Sequence, residues 1–141
     1  MKTFDYDYTV TMGDTNAMGN MYYLNYFRLA GHVRELFVKT CVANCNQHLQ
    51  NNLVLSTKNA HCDFKIPFFL YDDLVVKVYF TCLQRVSVKI HFDFVMKDQE
   101  KLCASAWQTI VFKNASRKTC RMHDDFKKAF ETYLCDLPDS D

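Results

Sequence analysis

Residues 12–28 read MGDTNAMGNMYYLNYFR. The chain has three glycines in 141 residues, and two of them, Gly13 and Gly19, fall here. Between them lie Asp14, Thr15 and Asn16, residues that favour turns because their side chains bond nearby backbone. An aromatic run with helical spacing follows at once. The stretch reads as a sharp loop delivering an edge strand into a helix. It also poses a chemical question, since it carries an amide, Asn16, where a reactive loop usually carries an acid or base.

Upstream, residues 4–12 alternate. Phe4, Tyr6, Tyr8, Val10 and Met12 share one face, and Asp5, Asp7, Thr9 and Thr11 the other, as in a half-buried strand. Downstream, residues 21–43 step at about 100° per residue. Tyr22, Tyr23, Tyr26, Phe27, Leu29, Ala30, Val33, Leu36, Phe37, Val38 and Cys41 form one broad apolar arc, opposite Asn25, Arg28, Gly31, His32, Glu35 and Lys39. An arc that wide predicts a long helix covered on more than one side. The polar stretch NCNQHLQNN separates it from a run of strands.

The first of these strands spans 53–66 and stops at Pro67; its irregular pattern predicts a bulge. The next spans 73–83, and Gln84-Arg85 forms a tight connection to 86–96. The last spans 101–113. Short connections imply antiparallel hairpins. HDDFKKAFETYL, 123–134, places acids before lysines, as a closing helix does. The tail DLPDSD is expected to fray. Strand, long helix, four strands and a short helix make an α+β fold: a curved antiparallel sheet of about five strands around one helix.

Composition narrows the function. The length suits a single domain, 1–141, large enough to bury a core. Hydrophobic residues are 49% and aromatics 15%. No apolar run is long enough to span a membrane, and the N-terminus lacks a signal-peptide pattern. Net charge is +1 with the 17 basic residues dispersed, which argues against a nucleic-acid partner. The seven cysteines are odd in number and show no CxxC. They read as buried thiols of a reducing cytoplasm rather than a disulfide framework or zinc site.

The pattern D-T-N-x-x-G-N-x-Y-x-x-N-Y-x-R, opening a long helix before an antiparallel sheet, resembles the hotdog-fold thioesterases of the 4-hydroxybenzoyl-CoA thioesterase type. Asp14, Gly19, Asn25, Tyr26 and Arg28 fit that pattern without a gap. Asn16 stands where that family carries its catalytic carboxylate. DTNAMGNMYYLNYF followed by HVRELFV, with Arg34, Glu35 and Phe37, more closely resembles the enediyne polyketide thioesterase branch. That branch hydrolyses acyl or β-ketoacyl thioesters without an active-site carboxylate.

The resemblance implies a thioester hydrolase acting on acyl-CoA or acyl carrier protein, with no cofactor and no metal. It also implies a homodimer or tetramer with sites at the dimer interface. Asn16, Tyr26, Arg34 and the backbone N–H of Tyr23 would be catalytic; Gly19, Asn20, Asn25 and Phe27 would bind substrate. Physical chemistry supports parts of this. A helix N-terminus offers free N–H groups and partial positive charge. Asn16 can orient water or donate to a thioester oxygen. Arg34 is the one charge inside the apolar arc and needs a partner, solvent or a ligand; Asp63 and Asp93 are the candidate ion-pair partners. The resemblance further implies that Asp14 shapes the loop by accepting backbone N–H bonds. Trp107 and Gln108 could line an acyl tunnel, and His91 is expected to be solvated. A non-catalytic acyl-binding module and a hotdog dehydratase, for which only His32 is available, are the rival readings.

Overall fold

The computed structural model describes residues 1–135; the DLPDSD tail lies outside them. Among the described residues, strands β1 (Phe4–Thr9), β2 (Val54–Phe64), β3 (Asp73–Thr81), β4 (Ser87–Met96) and β5 (Lys101–Lys113) form one sheet. Its order is β1-β3-β4-β5-β2 and every pairing is antiparallel. Helix α1 (Tyr23–Cys41) precedes β2, and α3 (Asp124–Thr132) follows β5.

Alternation decides the sheet. Leu74, Val76, Val78 and Phe80 of β3 and Val88, Ile90, Phe92 and Phe94 of β4 are all buried on the inner face. The bulge expected in β2 lies between Thr57 and Asn59. It restores an inward direction to Ala60, Cys62 and Phe64, which pair with Gln108, Ala106 and Ala104.

Helix α1 buries Tyr26, Leu29, Ala30, Val33 and Phe37, the i, i+3, i+4, i+7, i+11 line of one face. Phe37 ties the layers together: its ring lies 5.4 Å from Phe4, 4.9 Å from Phe80 and 6.1 Å from Phe130 of α3. The sheet covers only that face. Tyr22, Tyr23 and Leu24 stay exposed, and Leu36 and Val38 line a cavity instead. The second covering layer expected from the wide arc is therefore not supplied among the described residues.

Three local readings change. β1 ends at Thr9, because Thr11 begins a one-turn 3-10 helix, Met12–Asp14, that turns Met12 out to solvent. Residues Cys45–Gln50, read as a polar connection, form a short helix α2 after Asn44 in the left-handed conformation. It buries none of its residues, so no hydrophobic period marked it. His91 is buried on the outer face of the sheet, bonded to Thr81 Oγ1 at 2.7 Å and stacked on Tyr79.

Candidate functional site

Asp14 organises the loop. Its side chain is 3% exposed and accepts from the Thr11 N–H (2.9 Å), the Thr11 hydroxyl (3.1 Å), the Tyr8 hydroxyl (2.9 Å) and Arg28 (2.8 Å). Burial alone would raise its pKa, but the Thr11 and Tyr8 bonds and the Arg28 charge together hold it below the ordinary carboxylate value. Its backbone carbonyl accepts from the Tyr22 N–H and the Asn25 side-chain amide, both at 2.8 Å. Asp14 thus joins β1 to the first turn of α1 and accepts a backbone N–H as expected.

Asn16 is held three ways. Its N–H donates to Asn20 O, its carbonyl accepts from Gly19, and its side-chain oxygen accepts from the Met18 N–H at 2.9 Å. Gly19 has φ +86, a conformation glycine adopts without strain. The side-chain bond is the turn-forming contact typical of asparagine. It leaves the Asn16 Nδ2 without an acceptor among the described residues, and Asn16 lines the cavity beside the loop.

The Tyr23 N–H opens α1 and has no backbone acceptor among the described residues. Tyr23 lines a cavity of about 290 Å3 together with Asn16, Asn20, Tyr22, Tyr26, Phe64, Lys65, Ile66 and Pro67. No carboxylate lines it. Tyr26 is buried between Phe64, Phe68 and Phe94. Burial raises its hydroxyl pKa, partly offset by the Phe68 backbone, so the phenol is a neutral donor at physiological pH. The Cys62 thiol, on the same inner face of β2, is pushed up to about 12 by burial and the Asp63 charge. It is not a nucleophile near neutrality.

The chain therefore brings Asn16, Asn20, Tyr23 and Tyr26 together. Asn25 and Gly19 act on the loop rather than on the cavity, and Phe27 is half-buried away from it. Arg34 lies elsewhere. Eleven residues further along α1, about 16 Å at 1.5 Å per residue, it donates to Thr57 Oγ1 (2.7 Å), Gln108 Oε1 (2.9 Å) and Leu55 O (3.2 Å). All three partners are neutral. Asp63 and Asp93 face the other side of the sheet, so neither pairs with it. Burial lowers the guanidinium pKa, with Glu35 offsetting. Arg34 borders a second cavity of about 510 Å3, walled by Leu36, Val38, Leu49, Leu53 and Leu55.

Gln108 is thus a buried partner of Arg34. Trp107 lies on the outer face, stacked on His61 with Lys89 over its ring at 4.0 Å. Sequence reasoning missed the wall contributed by Phe64, Lys65 and Ile66. The strand-ending Pro67 was visible, but nothing local tells that this segment folds back onto the loop, where Met21 N–H meets Phe68 O at 2.7 Å.

A model of the thioesterase-like superfamily matches residues 10–130. Among solved structures, the dynemicin thioesterase, crystallised to follow polyene binding, superposes with a TM-score of 0.88 at 23% identity. It covers 96% of this chain and 100% of its own. A 1,4-dihydroxy-2-naphthoyl-CoA thioesterase from Synechocystis gives 0.82 at 20% identity, covering 92% and 96%. A Staphylococcus aureus protein in complex with CoA gives 0.86 at 16% identity, covering 94% and 84%. No curated protein sequence matches the chain. These superpositions establish the hotdog fold.

Proposed function

We propose that this chain, which belongs to the thioesterase-like superfamily, hydrolyses acyl or β-ketoacyl thioesters presented by CoA or an acyl carrier protein. One observation carries the reading. The free N–H at the start of α1 opens on a cavity that also holds the Asn16 amide and a neutral Tyr26, with no acid present. The thioester carbonyl oxygen sits against the Tyr23 N–H, where the helix dipole favours developing negative charge. The Asn16 Nδ2 supplies a second hydrogen bond. Water attacks the carbonyl carbon and loses its proton to solvent, the tetrahedral oxyanion collapses with cleavage of the C–S bond, and the thiolate departs as a good leaving group, so a strong general base is dispensable. Lys65, an exposed residue of the cavity lining, suits a phosphate of CoA or of a phosphopantetheine arm.

Arg34 enters through a second copy. β2 is an edge strand of eleven residues, and an unpaired edge of that length invites pairing. Antiparallel pairing of two β2 strands about their midpoint, Asn59, sets Leu55 of one chain opposite Asp63 of the other, and Val54 opposite Phe64. Within one chain, Leu55 and Phe64 are about 30 Å apart along the strand at about 3.3 Å per residue. Across the pair, the end of one strand lies beside the other end of its partner, about 5 Å away. The two-fold axis is normal to the sheet, so both inner faces stay on one side. The Arg34 cavity of one copy then abuts the Asn16 cavity of the other. The apolar walls around Arg34 suit an acyl chain, and its guanidinium, held by neutral partners only, is free to balance an oxygen anion or a β-keto carboxylate.

The test is release of free thiol from a panel of acyl-CoA and acyl-carrier-protein thioesters. Asn16→Ala and Arg34→Ala should each lower kcat by about ten-fold or more, as for loss of one transition-state donor. Unchanged rates in both would remove the site assignment. Binding without release at any chain length would favour an acyl-binding module, which the absence of an acid also accommodates. Sedimentation as a monomer at micromolar concentration would remove the shared site.

A further inference from the structure

A second cluster of chemically capable side chains lies where α2 meets α3, apart from both cavities' reactive ends. His48 Nε2 is 2.9 Å from Asp125 Oδ2, and His123 Nδ1 is 3.3 Å from the same oxygen. The three ligand atoms all lie within 4.8 Å of one another. We propose that His48, His123 and Asp125 form a binding site for a divalent transition cation, Zn2+ above all.

The geometry fits a common centre. With Zn–N and Zn–O bonds of about 2.1 Å, two ligand atoms of a tetrahedron are about 3.4 Å apart, and two adjacent ligand atoms of an octahedron about 3.0 Å. The two imidazole–carboxylate spacings lie close to these values, and the two imidazole nitrogens, within 4.8 Å of each other, would be drawn into that range by rotation of the exposed His123 ring. Two imidazoles and a carboxylate are ligands that zinc accepts. Three protein ligands leave further positions to water. The set is also partly prearranged. The side chains of His48 and Asp125 are 14% and 18% exposed, His48 packs on Phe126 at 5.3 Å, and Asn44 donates to the Asp125 carboxylate at 3.3 Å. His123, 57% exposed, is the movable ligand. Its Nδ1 accepts the Asp125 N–H as the helix cap at 3.0 Å, and a bound ion would take over that lone pair.

Occupancy would have a structural consequence. α2 has no buried residue of its own, yet Cys45, Asn46 and Leu49 form one wall of the larger cavity. An ion bridging His48 to the start of α3 would pin that wall. The sequence shows no such motif because His48 and Asp125 are 77 positions apart.

The test uses the full chain, stripped with a chelator and kept reduced, and titrated with Zn2+ by calorimetry. One ion per chain is expected at micromolar concentration. His123→Ser keeps a good helix cap while removing a ligand, and His48→Gln keeps a donor toward Asp125. Each should weaken binding at least about tenfold, the lower bound seen when even an indirect metal partner is lost. Co2+ in the unaltered chain should give weak ligand-field bands without thiolate charge transfer, which separates this site from the seven cysteines. Absence of binding, binding unchanged in both variants, or a thiolate band would overturn the proposal.

Discussion

Asp14→Asn perturbs the loop at its most connected point. Every group that contacts the carboxylate is a donor: the Thr11 N–H and hydroxyl, the Tyr8 hydroxyl and Arg28. An amide supplies one acceptor oxygen, so its NH2 must face either the Thr11 donors or Arg28. Hydrogen bonds to a charged group contribute about 1.5–3 kcal/mol each. Arg28 is 63% exposed, so its share is screened and small. Losing or inverting the Thr11 and Tyr8 bonds, less the relief of burying no charge, gives a net loss of about 2–4 kcal/mol. For a chain of this size that is a fall in Tm of roughly 5–12 °C. The sign with pH follows from the depressed carboxyl pKa. Its contribution is fully present above the unfolded value of about 3.9 and is lost as pH falls through the folded value. Urea unfolding of both proteins across that range is the assay. A variant within about 0.5 kcal/mol of the parent at pH 7, or a gap undiminished near ~pH 2, would refute the assignment of Asp14 as the loop's anchor.

Three further outcomes are expected. Arg34→Met should leave thermal stability within about 1–2 kcal/mol of the parent, because an unpaired half-buried cation stabilises little, while thiol release falls; equal loss of both would make Arg34 structural. Asp93→Asn should be neutral or stabilising at pH 7, because burial raises the Asp93 pKa against opposing help from Ser105, Lys65 and Lys77. With a raised folded pKa, the ionised form is the one penalised by folding, so the difference should vanish below the unfolded carboxylate value in a pH series of melting curves. Trp107→Phe should change stability by less than about 1 kcal/mol, since the buried indole N–H has no partner among the described residues; a larger loss in chemical denaturation would point to a cover over the outer face.

What could be read from sequence followed the range of the interaction. β3 and β4 announced themselves by strict alternation, and α1 by its apolar spacing. The bulge in β2 was legible because that long strand breaks its alternation, and the register shifts between Thr57 and Asn59. α2 was not legible: CNQHLQ carries no apolar period and buries no residue fully. His91 was misread as solvated, since its cover, Tyr79, comes from a neighbouring strand. Asn16 and Tyr23 of the loop motif line one cavity, and Asp14 anchors the loop beside it. Arg34 was recognised as anomalous, but its partners are not the expected acids. Gln108 lies 74 positions away, and strand register alone decides that it, rather than Asp93, faces the helix.

The central claim is that one copy's helix N-terminus and the other copy's arginine share a substrate. Subunit exchange between Asn16→Ala and Arg34→Ala chains measures it. Each parent is impaired at every site. In a mixed dimer one site carries both substitutions and the other carries neither. With random exchange half the dimers are mixed, so thiol release should recover to about a quarter of the unaltered rate. Recovery to that level is the predicted result. A mixture that stays at the rate of its parents would place both residues in sites built from single chains and contradict the account.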